Sequence, residues 1–326
     1  MKNRVKIIVC YYGSLPSEFK LWLKSCASNP EFSFLLVTDN RIDQTPENVE
    51  VYIISLKELR KKFSEACKLD VLLEDPYKLC DYRPLYGIAF KDKLKGCHFW
   101  GHCDIDMIWG NINKFITDEL LDKYDRIGTF GHLVLYRNCP EMNFLYKKKG
   151  SAFSYKTVFS SHYFYNFDEI YGLNLICKKN HVSWLNMGHQ FCLDKMPGER
   201  LAFYGVPNYK NQLVMWKDGR IYQYCEIHRQ RYLKEKIYYH FSGTHYFLEE
   251  SVSENVLFDG CSCWNKGKTE NKLVNNAGGG EFNTWKIRWK DLKQKCRSKT
   301  LHQKYIAIWQ KGAKLLLDLQ MQMIGE

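Results

Sequence analysis

The chain has 326 residues, enough for one large α/β domain with an appendage or for two small domains. Hydrophobic residues make up 45% of it, which excludes wholesale disorder, and the 15% aromatic content suits either a Tyr-rich core or the stacking of sugar C–H faces on rings. Net charge is +12, but residues 285–314 alone hold ten Lys or Arg against one acid, Asp291, so the body is only mildly basic and anionic partners are implied near that segment: lipid headgroups, lipid-linked phosphate or nucleic acid.

Val5–Tyr12 (VKIIVCYY) is β-branched and aromatic and reads as a buried first strand ended by Gly13; its apolar run, Val5 to Cys10, is too short for the core of a secretory signal. Ser17 is placed to cap a helix over Phe19–Ala27, with Phe19, Leu23 and Cys26 on one face. Phe32–Thr38 (FSFLLVT) is a second buried strand ended by Asp39 and Asn40, Val51–Ile54 a short third, and Leu56–Leu69 has helical spacing. This order is a nucleotide-binding α/β opening. Tyr82–Leu94 reads as a helix beginning near Pro84, His98–Cys103 as a strand, and Asp125–Thr129 and His132–Arg137 as two more around Gly131.

From about 140 to 235 the pattern is less regular and rich in Tyr, Phe and His, which places an acceptor-binding half there. Ile237–Phe241 is again strand-like. Residues 265–280 are polar and Gly-rich and read as a loop; Gly278–Gly280 lacks the preceding strand and the following GK[ST] of a phosphate loop. Beyond it Phe282, Trp285, Trp289, Leu292 and Cys296, then Tyr305, Ile308 and Trp309, recur at helical spacing. The expected organisation is a catalytic domain over 1–250, a linker over 251–281 and a basic amphipathic helical extension over 282–326. The 13 cysteines are odd in number and form no CxxC pair, which points to free thiols in a reducing compartment. No stretch approaches the roughly 20 apolar residues that span a bilayer.

The sharpest feature is HFWGHCDIDMIWGNI, His98–Ile112. A strand that stays apolar up to Cys103 then offers two acids, Asp104 and Asp106. Side chains alternate in an extended chain, so the two carboxylates point the same way. Together they can grip one hard divalent cation, Mg²⁺ or Mn²⁺, which shares its other positions with phosphate and water. The same segment carries Cys97, His98, His102 and Cys103, but the cysteines face one side of the strand and the histidines the other, so a zinc site is not expected.

YKLCDYRPLYG (Tyr77–Gly87), FWGHCDIDMIWGNINKFI (Phe99–Ile116), GHLVLYRN (Gly131–Asn138), FDEIYG (Phe167–Gly172) and the opening IIVCYYGSLPSEFKLWLKSC with FLLVTDN together resemble a family of bacterial glycosyltransferases. That family accompanies capsule, exopolysaccharide and lipopolysaccharide genes, and the resemblance spans roughly residues 5–245. It implies a GT-A fold, a Rossmann-like nucleotide-sugar-binding half fused to an acceptor half. It also implies transfer from a nucleotide-sugar, most simply a UDP-sugar, to a growing surface polysaccharide or lipid-linked glycan.

On this resemblance Tyr11 and Gly13 border the nucleotide base, and Asp39 contacts the base or ribose. Asp81 and Arg83 serve the donor, Arg83 on the diphosphate by bidentate pairing or else in a salt bridge to Asp81 or Asp104. His240, with His245 as the alternative, joins Asp104 and Asp106 on the metal. An inverting transfer needs a carboxylate base, for which Asp168 and Glu169 are the candidates. Trp184, Trp216, Tyr163 and Tyr165 could stack on acceptor sugar. The expected location is cytoplasmic and peripheral, with the basic extension on the inner face of the plasma membrane. The competing reading is a nucleic-acid-binding protein that uses Trp285, Trp289 and Trp309 in the basic segment; no nucleic-acid partner is expected if the acid pair is a metal site.

Overall fold

The computed structural model describes residues 4–198, 200–227, 230–246, 255–259, 263–265 and 301–323. The opening forms β1 (Val5–Cys10), α1 (Phe19–Ala27), β2 (Phe32–Thr38), β3 (Val49–Ile53) and α2 (Leu56–Cys67). Next come β4 (Phe99–Cys103), β5 (Met107–Trp109), β6 (Arg126–Ile127), β7 (Leu133–Arg137), β8 (Trp184–Leu185) and β9 (Leu193–Asp194). The later strands are β10 (Gln212–Lys217), β11 (Arg220–Ile227), β12 (Gln230–Lys236), β13 (Tyr238–His240), β14 (Asn255–Phe258) and β15 (Cys263–Asn265).

The main sheet runs β3-β2-β1-β4-β7-β6-β8. Its first four strands are parallel, and β7 enters antiparallel to β4. A parallel sheet must be covered on both faces, and alternation along β2 shows how. Phe32, Phe34 and Leu36 pack with Phe19, Trp22 and Cys26 of α1 on one side. Leu35 and Val37 pack with Leu59, Phe63 and Cys67 of α2 on the other. The mixed α/β class is therefore met, with a parallel-rich central sheet between helical layers.

Local chemistry moves several boundaries. Helix α2 starts on a capping box, in which Ser55 Oγ accepts from Glu58 N while Glu58 accepts from Ser55 N at 3.0 Å. Ser17 does not cap α1: its hydroxyl donates to the Tyr246 carbonyl at 2.8 Å, and Glu18 stands at the cap position. The single helix expected over Tyr82–Leu94 is a relay of short turns, Leu79–Tyr82, Arg83–Leu85, Tyr86–Ala89 and Lys91–Leu94. Pro84 lacks an N–H and fits only the first turn of a helix, so it stands at the start of the Arg83–Leu85 piece.

The irregular middle holds a hairpin sheet, β12-β11-β10-β14-β15. Strands β14 and β15 lie inside the span read as linker, where Val256 and Phe258 are buried and β14 pairs with β10, so these strands belong to the folded body. A helix over Leu301–Met323 falls in the expected extension; it docks through buried Ile306 and Gln310, the latter donating to the Tyr165 carbonyl. Gly278–Gly280, Trp285, Trp289 and the basic residues from Lys286 to Lys299 lie outside the described residues.

Candidate functional site

Strands β1 and β4 are parallel neighbours, so their carboxyl ends open at the same edge of the sheet, where ligands of open α/β sheets bind. A cleft of about 740 Å³ lies there. It is lined by Tyr11, Tyr12 and Pro16 after β1, by Tyr77 and Phe164, whose rings touch, and by Arg83, Asp104, Asp106, Asp168, Glu169 and His240.

The acid pair sits in the bend between β4 and β5. Ile105 turns inward, 6% exposed, while Asp104 and Asp106 face the cleft, so the alternation expected of an extended chain survives the bend. Strand β13 brings His240 to them: it pairs antiparallel with β5, and His240 falls opposite Met107. His240 Nε2 lies 3.5 Å from Asp104 Oδ2 and 3.4 Å from Asp106 Oδ1. One ligand atom from each residue falls within 4.8 Å of the others. Gly243 N donates to the second oxygen of Asp106 at 2.9 Å. Burial alone raises the Asp106 pKa, but His240 and the Gly243 N–H outweigh it and hold this carboxyl well below the usual range. Two carboxylate oxygens and one imidazole nitrogen, half-exposed at a cleft floor, fit a single Mn²⁺ or Mg²⁺ with positions left for phosphate oxygen and water.

Arg83, at the start of its short turn, bridges two acids. Nη2 pairs with Asp104 Oδ1, the oxygen turned away from His240, and Nη1 donates to Asp168 Oδ2 at 2.7 Å. Asp168 is 1% exposed. Burial raises its pKa to about 8 against the opposing pull of Arg83. Glu169 accepts from Gly131 N at 2.5 Å, and burial raises its pKa too. A Cβ on Gly131 would come within 2.5 Å of Arg83, 2.6 Å of Glu169 and 2.8 Å of Asp168, so a glycine there lets the three charged groups close around the backbone.

Other expected site residues are placed elsewhere. Asp81 is fully buried and does not line the cleft. It pairs with Lys78 Nζ at 2.7 Å and accepts from Tyr165 N and Phe167 N at 2.9 and 2.8 Å, anchoring the segment that carries Asp168. Its predicted contact with the donor is thus replaced by a supporting one. Asp39 is exposed and, like Gly13, is not among the lining residues; Gly13 turns the chain at φ +96°, and Asn40 Nδ2 holds its carbonyl at 2.8 Å. Tyr11 does line the cleft. His245 is on the rim, paired at 3.1 Å with buried Glu18 rather than with the acid pair.

Trp216 is 1% exposed, donates to the Trp109 carbonyl and is core. Trp184 packs against the Arg126 guanidinium at 4.7 Å. Tyr165 is buried as well, which leaves Tyr163, 39% exposed, the most accessible of the four aromatics expected to stack on sugar, with Trp184 half-buried. His102 lies in the core with Nδ1 3.0 Å from the Gly131 carbonyl, and among the described residues no metal-ligand group forms around Cys97 and Cys103.

The sequence reading missed Asp194, His132, Ser242 and Gly243, which gather around His240 and Asp106. Only Asp194 carried a local signal, an acid ending a short apolar run (Phe191–Leu193), as Asp104 does.

Residues 7–274 match the model of a family of unknown function, DUF6625. The chain belongs to that family. Among curated proteins no relative is found. Among solved structures, this DUF6625 chain is similar to the crystal structure of the galactosyltransferase LgtC in complex with donor and acceptor sugar analogues. That match has a TM-score of 0.37 and 11% identity, over 58% of this chain and 75% of that one. An active-site mutant of LgtC matches with a TM-score of 0.34 and 10% identity over the same shares. At that distance the likeness assigns no residue a role, and the chemistry rests on the cleft itself.

Proposed function

We propose that this DUF6625 chain is a GT-A glycosyltransferase that moves a sugar from a nucleotide-sugar, most simply a UDP-sugar, to a growing surface polysaccharide or lipid-linked glycan. The observation that carries the reading is the convergence of Asp104, Asp106 and His240 at the carboxyl ends of parallel β1 and β4. Asp104 Oδ2, Asp106 Oδ1 and His240 Nε2 would hold Mn²⁺ or Mg²⁺. Such an ion neutralises the charge that develops on a diphosphate leaving group.

Tyr11 and Tyr12 form the wall next to the β1 end and take the base. Arg83 keeps Asp104 turned toward the metal position and offers its remaining N–H groups to phosphate. Across the cleft, Asp168 and Glu169 accept hydrogen bonds from sugar hydroxyls, and the carboxylate form of Asp168 takes the acceptor proton. A carboxyl with its pKa near 8 is a stronger base, once ionised, than an ordinary aspartate.

The Leu301–Met323 helix supports a peripheral membrane position. Tyr305, Ile308, Trp309, Leu315 and Leu316 fall on one helical face and are between 54% and 71% exposed, with exposed Lys304, Lys311 and Lys314 beside them. No described helix is long and apolar enough to cross a membrane. A nucleic-acid reading gains nothing from a cleft lined by four carboxyl groups, Asp104, Asp106, Asp168 and Glu169.

The test is a panel of nucleotide-sugars with Mn²⁺, read as thermal stabilisation and slow donor hydrolysis. At least one donor is expected to stabilise the protein, with loss on EDTA and recovery on adding Mn²⁺ or Mg²⁺. Hydrolysis that persists undiminished in metal-stripped protein would sink the metal-dependent mechanism, and no response to any donor would sink the transferase reading.

A further inference from the structure

His240 can serve a metal only if its Nε2 is unprotonated and aimed at the acid pair, and an imidazole on a strand has a second ring orientation and a second tautomer open to it. The surroundings of His240 remove both freedoms. In the small sheet β5-β13-β9, His240 stands in register between Met107 on one side and Asp194 on the other. Asp194 Oδ1 lies 2.9 Å from His240 Nδ1 and accepts from Ser242 Oγ at 2.8 Å. A carboxylate at that distance requires a proton on Nδ1, so Nε2 is the ring atom turned toward Asp104 and Asp106 and the one whose proton a cation would replace. His132 fixes the ring plane. It stacks on His240 with centroids 4.6 Å apart and planes at 18°, and its own Nδ1 is held by Tyr238 Oη at 2.6 Å.

We propose that Asp194 is the positioning residue of the metal centre, holding the His240 imidazole in the tautomer and orientation that present Nε2 to a cation between Asp104 and Asp106. This role rests on the metal reading given above. Asp194 is 8% exposed and lies on the far side of the ring from the acid pair. Its second oxygen points toward His132 Nε2 at 3.9 Å and His189 Nδ1 at 3.7 Å, distances too long for hydrogen bonds, so the short contacts are those to His240 and Ser242. His132, Asp194 and His240 could themselves gather an ion. That arrangement needs His240 Nδ1 as a ligand, whereas Nδ1 is already committed to Asp194.

The experiment measures Mn²⁺ affinity by electron paramagnetic resonance and the His240 tautomer by ¹⁵N NMR of the Mg²⁺-loaded full chain, for wild type, Asp194→Asn and Ser242→Ala. A lost outer partner of a metal-bound histidine typically costs 10–100-fold in metal affinity. Asp194→Asn is expected to weaken Mn²⁺ binding by about that factor and to abolish the uniform Nδ1–H signature, with the thermal transition retained. Ser242→Ala is expected to move both readouts the same way by a smaller factor, and it decides the matter if Asp194→Asn fails to fold.

Wild type that binds no Mn²⁺ removes the metal reading and this role with it. Wild type that binds, beside variants of equal affinity and unchanged tautomer, overturns this role alone. A second Mn²⁺ per chain that disappears in Asp194→Asn would make Asp194 a ligand and also overturn it.

Discussion

At the scale of single residues the site is a balance of charges around one bend. Asp106 has one oxygen on the Gly243 N–H and the other toward His240, so an amide in its place keeps the shape and loses the charge. Asp106→Asn, and Asp104→Asn almost as strongly, are expected to abolish transfer at saturating donor while the thermal transition stays within a few degrees of wild type. Several kcal/mol of transition-state stabilisation are at stake, on the order of 10²–10⁴ in rate. Near-wild-type turnover by Asp106→Asn would refute the assignment.

Asp168 makes a second, pH-dependent statement. Its pKa in the fold is about 8, above the ordinary aspartate value. Between those two values the native state holds a proton that the unfolded chain has released, so stability falls as pH rises through that window. Thermal melts from pH 5 to 8 are expected to decline more steeply for wild type than for Asp168→Asn, which is neutral throughout. Parallel slopes would contradict the raised pKa.

At the scale of elements, β4 does two jobs. It carries the acid pair at its end, and it joins the parallel strands to β7 through a contact that only glycine allows. A Cβ on Gly101 would lie 2.4 Å from the Leu135 side chain and 2.5 Å from the Val134 carbonyl. Backbone cannot yield as a side chain tip can. Gly101→Ala is therefore expected to cost about 1–3 kcal/mol, seen as a lower denaturation midpoint at unchanged m value. A midpoint equal to wild type would show that the β4–β7 pair has room to part. The small sheet β5-β13-β9 is the second element that matters, because its register alone sets Asp194 beside His240 and His240 beside the acid bend.

At the scale of the whole molecule, the last helix offers an exposed apolar face beside the side that docks, with Trp309 at its edge donating to the Ala152 carbonyl at 3.3 Å. Its single acid placed among the described side chains, Asp318, is neutralised by Lys178 at 2.8 Å, which leaves Lys304, Lys311 and Lys314 to set the sign of that surface. A basic residue near an anionic bilayer contributes about 1 kcal/mol, and the exposed aromatics suit the headgroup boundary. The full chain is expected to float with anionic vesicles at low salt, less so at high salt, and poorly with neutral ones. The double variant Ile308→Glu, Leu316→Glu is expected to stay at the bottom of the gradient. Equal flotation of variant and wild type would assign the binding to another surface, and failure of both would end the membrane reading.

The local alphabet was enough for the elements of the opening, β1 through α2, though not for the short turns that replace the helix expected over Tyr82–Leu94. Apolar runs of strand length and helical spacing placed β1, β2, α1 and α2 close to their observed bounds, because a parallel sheet buried on both faces leaves a continuous apolar signal. The acid pair was legible for the same reason: an apolar strand that ends in two acids is conspicuous in one dimension. The partners of that pair were not. His240 could be placed only through a resemblance. Asp194, His132 and Gly243 reach the site from strands and loops far apart in sequence, through β9–β13 and β5–β13 pairings that no local pattern encodes. Asp81 and Asp39 looked as available as Asp104, since an acid in a polar stretch reads the same whether it ends in a cleft, in a buried ion pair or in solvent. Sequence by itself determined the parallel strands at the centre of the sheet and where they offer carboxylates. Tertiary structure decided which carboxylates face one another, because burial and the approach of distant strands, not composition, set the direction of each side chain and the charge it meets.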